Sequence, residues 1–249
     1  MHTIKNTVAL SSIKSAILRR AVLSILSISL LFASSIGAQE GEWFSHARVA
    51  RKVIEKFKAV ESYTADFTIA TVDGKKTNNM SGKIYYQKPN FVRFEFSRPA
   101  GNEMISDGRT LWVYIKRINA AGKQDLRLNK KDENSKLIFS EIPGPGLIRL
   151  FRKYHYRFDT PKQPRKESGR NVFVLDLEQR EKIGGYEKMV LHIDAKDYLV
   201  TKAIASDDYG KVSTISFSNM KLNVPLDGAL FQYKPGRSVR VVNNPLVSE

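Results

Sequence analysis

The chain has no cysteine. That excludes disulfide cross-links, so the core alone must hold the fold. It excludes thiol catalysis, and it excludes lipid attachment at a signal-site cysteine. Histidine is almost as scarce. Past the first 38 residues only His46, His155 and His192 occur, scattered and never at a metal-ligand spacing; structural or surface roles are expected for all three. No nucleophile elbow, phosphate loop, dinucleotide fingerprint or paired-histidine helix motif is present. Asp207 and Asp208 are neighbours in a turn, where aspartate is expected without calcium. The Gly144-Pro145-Gly146 segment lacks the helix-start context of a phosphate loop and reads as a hinge. Neither a metal nor a cofactor is expected, and catalysis has no motif to rest on.

Acidic residues are few: 25 against 41 basic ones in 249 residues. Long apolar runs are also missing, with one exception. Residues 1–20 carry Lys5, Lys14, Arg19 and Arg20 and no acid, and residues 21–33 (AVLSILSISLLFA) form an uncharged run of 13. The small residues of SSIGA follow. This basic, apolar, small-residue order is that of a secretory signal peptide. The run is too short for a comfortable membrane span, which needs about 20 apolar residues. Residues 1–38 are expected to be removed, with cleavage after Ala38 or after Gly37, and residues 39–249 to form one domain. That leaves 37 basic and 25 acidic residues, a net charge of +12. Such a charge attracts an acidic partner or an anionic lipid surface. Export argues against nucleic acid.

Residues 43–60 place Ala47, Ala50, Val53, Ile54, Phe57 and Val60 at three- and four-residue spacing with Arg and Lys between them, an amphipathic helix suited to packing on a sheet. Strands follow. Residues 63–72 alternate, with Tyr63, Ala65, Phe67 and Ile69 on one face. A turn at Asp73-Gly74, a polar loop and a strand near 80–87 come next. Pro89-Asn90 breaks the run. In residues 91–97 (FVRFEFS), Val92, Phe94 and Phe96 share one face and Arg93 and Glu95 the other, a wet back. Asp107-Gly108 turns a short strand at Met104 and Ile105 into LWVYIKRI at 111–118. An arm is expected at 123–128 and a solvated loop at 130–136. Residues 147–151 suit a short, very apolar helix. Further strands are expected near 155–159, 171–179, 187–193, 199–206 and 211–221, and a mostly irregular tail from Pro225 with Phe231 and Tyr233 as anchors. The fold class is mainly β (α+β): a strongly curved antiparallel sheet with about two helices, forming an incomplete β-barrel.

Interleaved aromatic and basic residues could stack single-stranded nucleic acid. Period-two separation of the two types favours a buried apolar face instead. A plain packed core and a ligand cavity both fit that face. The apolar segment 147–151 beside Gly-Pro-Gly, similar to a movable lid, favours the cavity.

The central block reads GKIYYQKPNFVRFEF, then RP, then MISDGRTLWVY, of which residues 106–114 are the most specific. With the preceding helix, residues 66–68 (DFT), Phe231-Gln232-Tyr233 and Pro235-Gly236, it resembles the periplasmic outer-membrane lipoprotein carrier family (LolA). The resemblance implies an incomplete barrel closed by helices over an apolar cavity that shelters lipoprotein acyl chains. It implies acylated lipoprotein cargo, an inner-membrane lipoprotein-releasing ABC transporter as donor, an outer-membrane acceptor, a periplasmic monomer, and no bond made or broken. The expected cavity residues are Phe67, Ile69, Ile84, Tyr86, Phe94 and Phe96, then Met104, Trp112 and Tyr114, then Leu147, Ile148 and Phe151 of the lid, and Met189. Lid control is expected from Lys88, Gly144 and Gly146. Lys88 departs from the family, which often has an arginine there; a lysine offers a point charge without the planar fork. The loop at 119–136 looks longer than usual. A lipid- or lipoprotein-sensing envelope regulator of the same fold remains the alternative, and an exported enzyme a third class.

Overall fold

The structure, a computed structural model, describes residues 44–126, 145–181 and 185–244. The expected signal peptide, the hinge residue Gly144 and the 130–136 loop lie outside them. Helix α1, His46–Ala59, starts where the Ser45 hydroxyl accepts a hydrogen bond from the Arg48 N–H at 3.1 Å. That cap satisfies one of the helix's orphan donors. Val49, Ala50 and Val53 form its buried stripe.

Six antiparallel strands follow as a meander: β1 Ser62–Asp73, β2 Lys76–Gln87, β3 Phe91–Arg98, β4 Glu103–Asp107, β5 Thr110–Ile115 and β6 Ala120–Asp125. Helix α2, Pro145–Lys153, comes next. A second run contains β7 Tyr154–Phe158, β8 Arg165–Glu167, β9 Arg170–Gln179, β10 Tyr186–Asp194, β11 Val200–Asp207 and β12 Val212–Leu222. β12 pairs with β1 and joins the two runs into one sheet. The last strand, β13 Arg240–Asn243, adds in parallel to β6. The sheet order runs from β13 through β6, β1, β12 and β9 to β7, and its two end strands do not pair. The described residues are thus mainly β, a curved and open sheet of 13 strands with two helices.

Curvature comes from interruptions in the ladder. Register shifts occur between Ser81 and Gly82, between Thr64 and Asp66, and twice along β10. Such bulges bend a strand and raise its twist. At one of them Asn219 takes the left-handed conformation (φ 51°), and its amide donates to Asp66 at 2.7 Å. Gly82 is required by close approach: a Cβ there would lie 1.9 Å from the Glu95 carbonyl oxygen.

Two local expectations are corrected, and the mostly irregular tail gains two short elements. β2 begins at Lys76, so no polar loop follows the Asp73-Gly74 turn. Lys76 to Asn79 are exposed and polar on both faces, yet they complete the ladder with β1; backbone pairing makes this a strand without an apolar pattern. The arm expected at 123–128 is β6, at 120–125. The tail from Pro225 holds a 3₁₀ turn, Gly228–Phe231, and the strand β13.

Candidate functional site

The inner face gathers one side of β1 to β3 and of β9 to β12, with Tyr154 of β7. Tyr63, Ala65, Phe67 and Ile69 of β1 stand beside Ile84 and Tyr86 of β2, and Val92 and Phe94 of β3. Phe67 meets Phe94 edge-on at 5.2 Å and Phe96 at 5.3 Å between ring centres, while Tyr63 stacks on Tyr86 at 5.2 Å. Such pairs stabilise beyond their area burial. The second run contributes Phe173, Leu175, Leu177, Met189, Leu191 and Ile193 to the same cluster. Burial pushes the Tyr63 hydroxyl well above its ordinary pKa, with the neighbouring Tyr86 adding to the rise.

Both helices press onto this face. α1 supplies Val49, Ala50 and Val53, and α2 supplies Leu147, Leu150 and Phe151. Phe151 packs edge-on against Tyr156 of β7 at 5.3 Å. Exposed Arg149 and Arg152 occupy the outer side of α2, and Ile148 is half-buried between the two sides. Thus α2 meets the inner face through apolar side chains.

Of the residues singled out from the sequence, Phe67, Ile69, Ile84, Tyr86, Phe94, Leu147, Phe151 and Met189 fall in one buried cluster, with Phe96 and Met104 half-buried against it. Trp112 and Tyr114 do not join them. The register sets Phe94, Met104 and Val113 in one row and Arg93, Ile105 and Trp112 in the row facing the other way. On that outer side the C-terminal tail lies across the sheet. Tyr233 packs on Trp112 at 5.2 Å and on Tyr114 at 6.1 Å, and Phe231 on Phe91 at 5.6 Å. Arg93 is therefore no wet back. It donates to the Leu230 carbonyl at 3.0 Å and pairs with Glu95 at 2.8 Å and Glu103 at 3.3 Å.

The sequence matches the profile of the family described as outer membrane lipoprotein carrier protein LolA over residues 58–234, well over half the chain. The chain belongs to the LolA family. An outer-membrane lipoprotein carrier protein of Francisella tularensis is 24% identical over 204 residues, covering 80% of this chain and 90% of that one. An uncharacterized protein of Methanocaldococcus jannaschii is 26% identical over 196 residues, 79% of this chain. The chain spans about half (53%) of that relative's length. A conserved protein of Thermus thermophilus, of solved structure and uncharacterized, shares the fold with a TM-score of 0.52 at 14% identity, covering 78% of this chain and 98% of its own.

The most specific LolA-like block is a turn device. Asp107 Oδ1 accepts from the Arg109 N–H at 2.9 Å and the Thr110 N–H at 2.7 Å; Ser106 Oγ accepts from the Gly108 N–H at 3.1 Å. Gly108 sits at φ 80°, which favours glycine.

Lys88, the departure from the LolA pattern, does not reach α2. Its Nζ donates to the Lys58 carbonyl at 2.6 Å and to Glu61 at 2.7 Å. It ties the C-terminal end of α1 to the β2–β3 turn, where a cation suits the helix's free carbonyls. Any control of α2 by Lys88 would therefore act through the end of α1, while Leu147, Leu150 and Phe151 of α2 itself pack on the inner face. Gly146 lies within α2. We expect Lys88→Ala to lower stability by no more than about 1 kcal/mol, because the pair is solvent-screened. It should leave α2 docked, as read by hydrogen exchange of that helix.

A polar cluster missed from the sequence holds β8. Asp159, Arg165 and Glu167 form a chain of ion pairs, with Arg165–Glu167 at 2.8 Å, and His192 Nδ1 is hydrogen-bonded to Glu167 at 2.8 Å. β8 is only three residues and has no alternation to read. Burial lowers the His192 pKa against the opposing pull of Glu167. Burial raises that of Glu167, but hydrogen bonds from Arg165 and His192 outweigh it and leave the carboxyl below its ordinary value. A histidine held neutral binds its proton more readily when unfolded. Stability is therefore full above about pH 6.5 and falls as the histidine is driven to charge. The depressed Glu167 acts in the same direction: its contribution is lost as pH falls through its folded value. The melting temperature should drop on going from about pH 7.5 to pH 5, and His192→Gln should flatten that slope. Equal slopes would remove the role given to His192.

Proposed function

We propose that this chain carries acylated proteins across the periplasm of a two-membrane bacterium, sheltering their acyl chains against the inner face. The observation that carries the reading is the continuous apolar face of Phe67, Ile84, Phe94 and Met189, in an open LolA-family sheet, covered by a helix docked through Leu147, Leu150 and Phe151. Each CH₂ withdrawn from water contributes about 0.8 kcal/mol, so an acyl chain needs such shelter to cross water. The same side chains fill the face when α2 is docked. Cargo therefore enters by displacing α2, and the returning helix favours release. No bond is made or broken, and no catalyst is required.

The donor is an inner-membrane lipoprotein-releasing transporter, and the recipient is an acceptor at the outer membrane. The carrier names of the Francisella relative and of a second from Coxiella burnetii support this direction of traffic. The expected signal peptide at 1–38 supplies the periplasmic location. Depletion of the protein followed by fractionation of the envelope tests the proposal. Outer-membrane lipoproteins should accumulate in the inner membrane; unaltered sorting would overturn it.

A further inference from the structure

Seven large apolar side chains are exposed among the described residues, and five of them lie along one edge of the sheet, on its two faces. Val113 and Ile115 belong to β5, Ile118 to the 3₁₀ turn Lys116–Ile118 that follows, and Val241 and Val242 to β13. β6 lies between these strands with small residues: Ala121 beside Val241 and Gly122 beside Val242. The patch spans three neighbouring strands at the free edge of the sheet. Ile118 is 46% and Val242 45% exposed.

The charge around it is mainly basic, with Asp125 at the far end of β6 as the nearby exception. Residues 115–124 contain Lys116, Arg117 and Lys123 and no acid; residues 228–243 contain Lys234, Arg237 and Arg240 and no acid. All six basic side chains are exposed. The nearby Glu103 of β4 is paired with Arg93. The edge is also held in place. The Asn119 amide donates to the Ser238 carbonyl at 2.9 Å, and the Arg240 N–H donates to the Asn119 carbonyl at 3.0 Å. At the other end the Asn244 N–H donates to the Lys123 carbonyl at 2.7 Å.

We propose that this β5–β6–β13 edge docks on an anionic lipid surface. Exposed aliphatic side chains on an edge rich in Lys and Arg match the two attractions of such a surface, apolar burial at the acyl boundary and charge on the headgroups. A single peptide strand added to β13 would not cover it, because Val113 and Ile115 lie two strands inward and Val241 and Val242 point to opposite faces of the sheet. A bilayer interface can receive a sheet edge on both faces at once. The patch is also continuous with the inner face: Phe94, Met104, Val113, Gly122 and Val242 form one cross-strand row. Under the carrier reading, that row is a path for an acyl chain from the lipid surface to the buried face. The docking itself does not depend on that reading.

Vesicles of phosphatidylcholine, with and without phosphatidylglycerol, test it with the full chain. Any contact made by the apolar run at 21–33 is shared by all variants, so the readout is the gain in binding that the anionic lipid gives. The gain should be large at low salt and shrink at high salt. Arg117→Glu with Arg240→Glu should reduce it by at least about 30-fold, the loss of one basic residue's attraction at each of two sites, with the repulsion of the new carboxylates adding to it. Ile118→Ser with Val242→Ser should weaken binding about tenfold while keeping the charge. Both pairs are at exposed positions, and unchanged melting temperatures show that they fold. The inference is overturned if phosphatidylglycerol gives no gain, or if both double variants keep it. Binding of a soluble acylated peptide should be unchanged in the charge-reversed variant, so failure here is separable from failure of the carrier reading.

Discussion

Replacing Phe151 with alanine should tighten the binding of acylated cargo, although it removes an apolar residue from the site. Phe151 is 5% exposed and packs on Tyr156 at 5.3 Å. It holds α2 against the face that the acyl chain must occupy. Truncating a buried phenylalanine costs about 3–5 kcal/mol. If about 3 kcal/mol of that comes from the docking of α2, the open, binding-competent state gains on the order of 100-fold in population. Apparent affinity for a synthetic diacylated peptide rises by the same factor, until α2 is mostly undocked. Release slows with it, so transfer to acceptor membranes falls while binding improves. Arg152→Ala, on the exposed side of the same helix, should do neither. Titration calorimetry with the peptide checks the claim; weaker binding by the Phe151 variant would mean that α2 is part of the binding wall and not its competitor.

Gly82→Ala should be among the most damaging single changes in the sheet. The added methyl would lie 1.9 Å from the Glu95 carbonyl oxygen and 2.9 Å from the Phe96 Cα, both backbone atoms. No side chain can move aside to make room. β2 and β3 must separate at the bulge that sets the Phe67–Phe96 contact. Overpacking of this kind costs about 3 kcal/mol or more, which lowers the melting temperature of a chain this size by about 6–12 °C. Gly228→Ala is the control, since nothing lies within 4 Å of a Cβ there. Equal melting temperatures for the two variants would show that β2 and β3 can part at little cost.

Alternation in FVRFEF put Val92, Phe94 and Phe96 on one face because every second residue there is apolar, and the ladder agrees. The Ser-Asp-Gly turn was legible because its side chains act locally on their own backbone. LWVYI was not, since both parities are apolar; the choice is made by Tyr233, more than a hundred residues away, which covers Trp112 and Tyr114 on the outer face. For the same reason Arg93 looked solvated and is half-buried. The first four residues of β2 carry no apolar pattern, because their strand is made by backbone pairing with β1. Lys88 was recognisable as a departure, but its partners at the end of α1 depend on the chain returning there. The exposed apolar edge could not be seen at all, because β13 joins β6 from the far end of the chain.

The central claim is that the inner face holds acyl chains of a protein cargo. Native mass spectrometry of the protein purified from its own envelope tests this most directly. We expect a one-to-one complex whose partner carries the mass of a diacylated or triacylated protein, lost on Phe94→Asp. Recovery of the protein with free lipid alone, or with an unacylated protein domain, would contradict it.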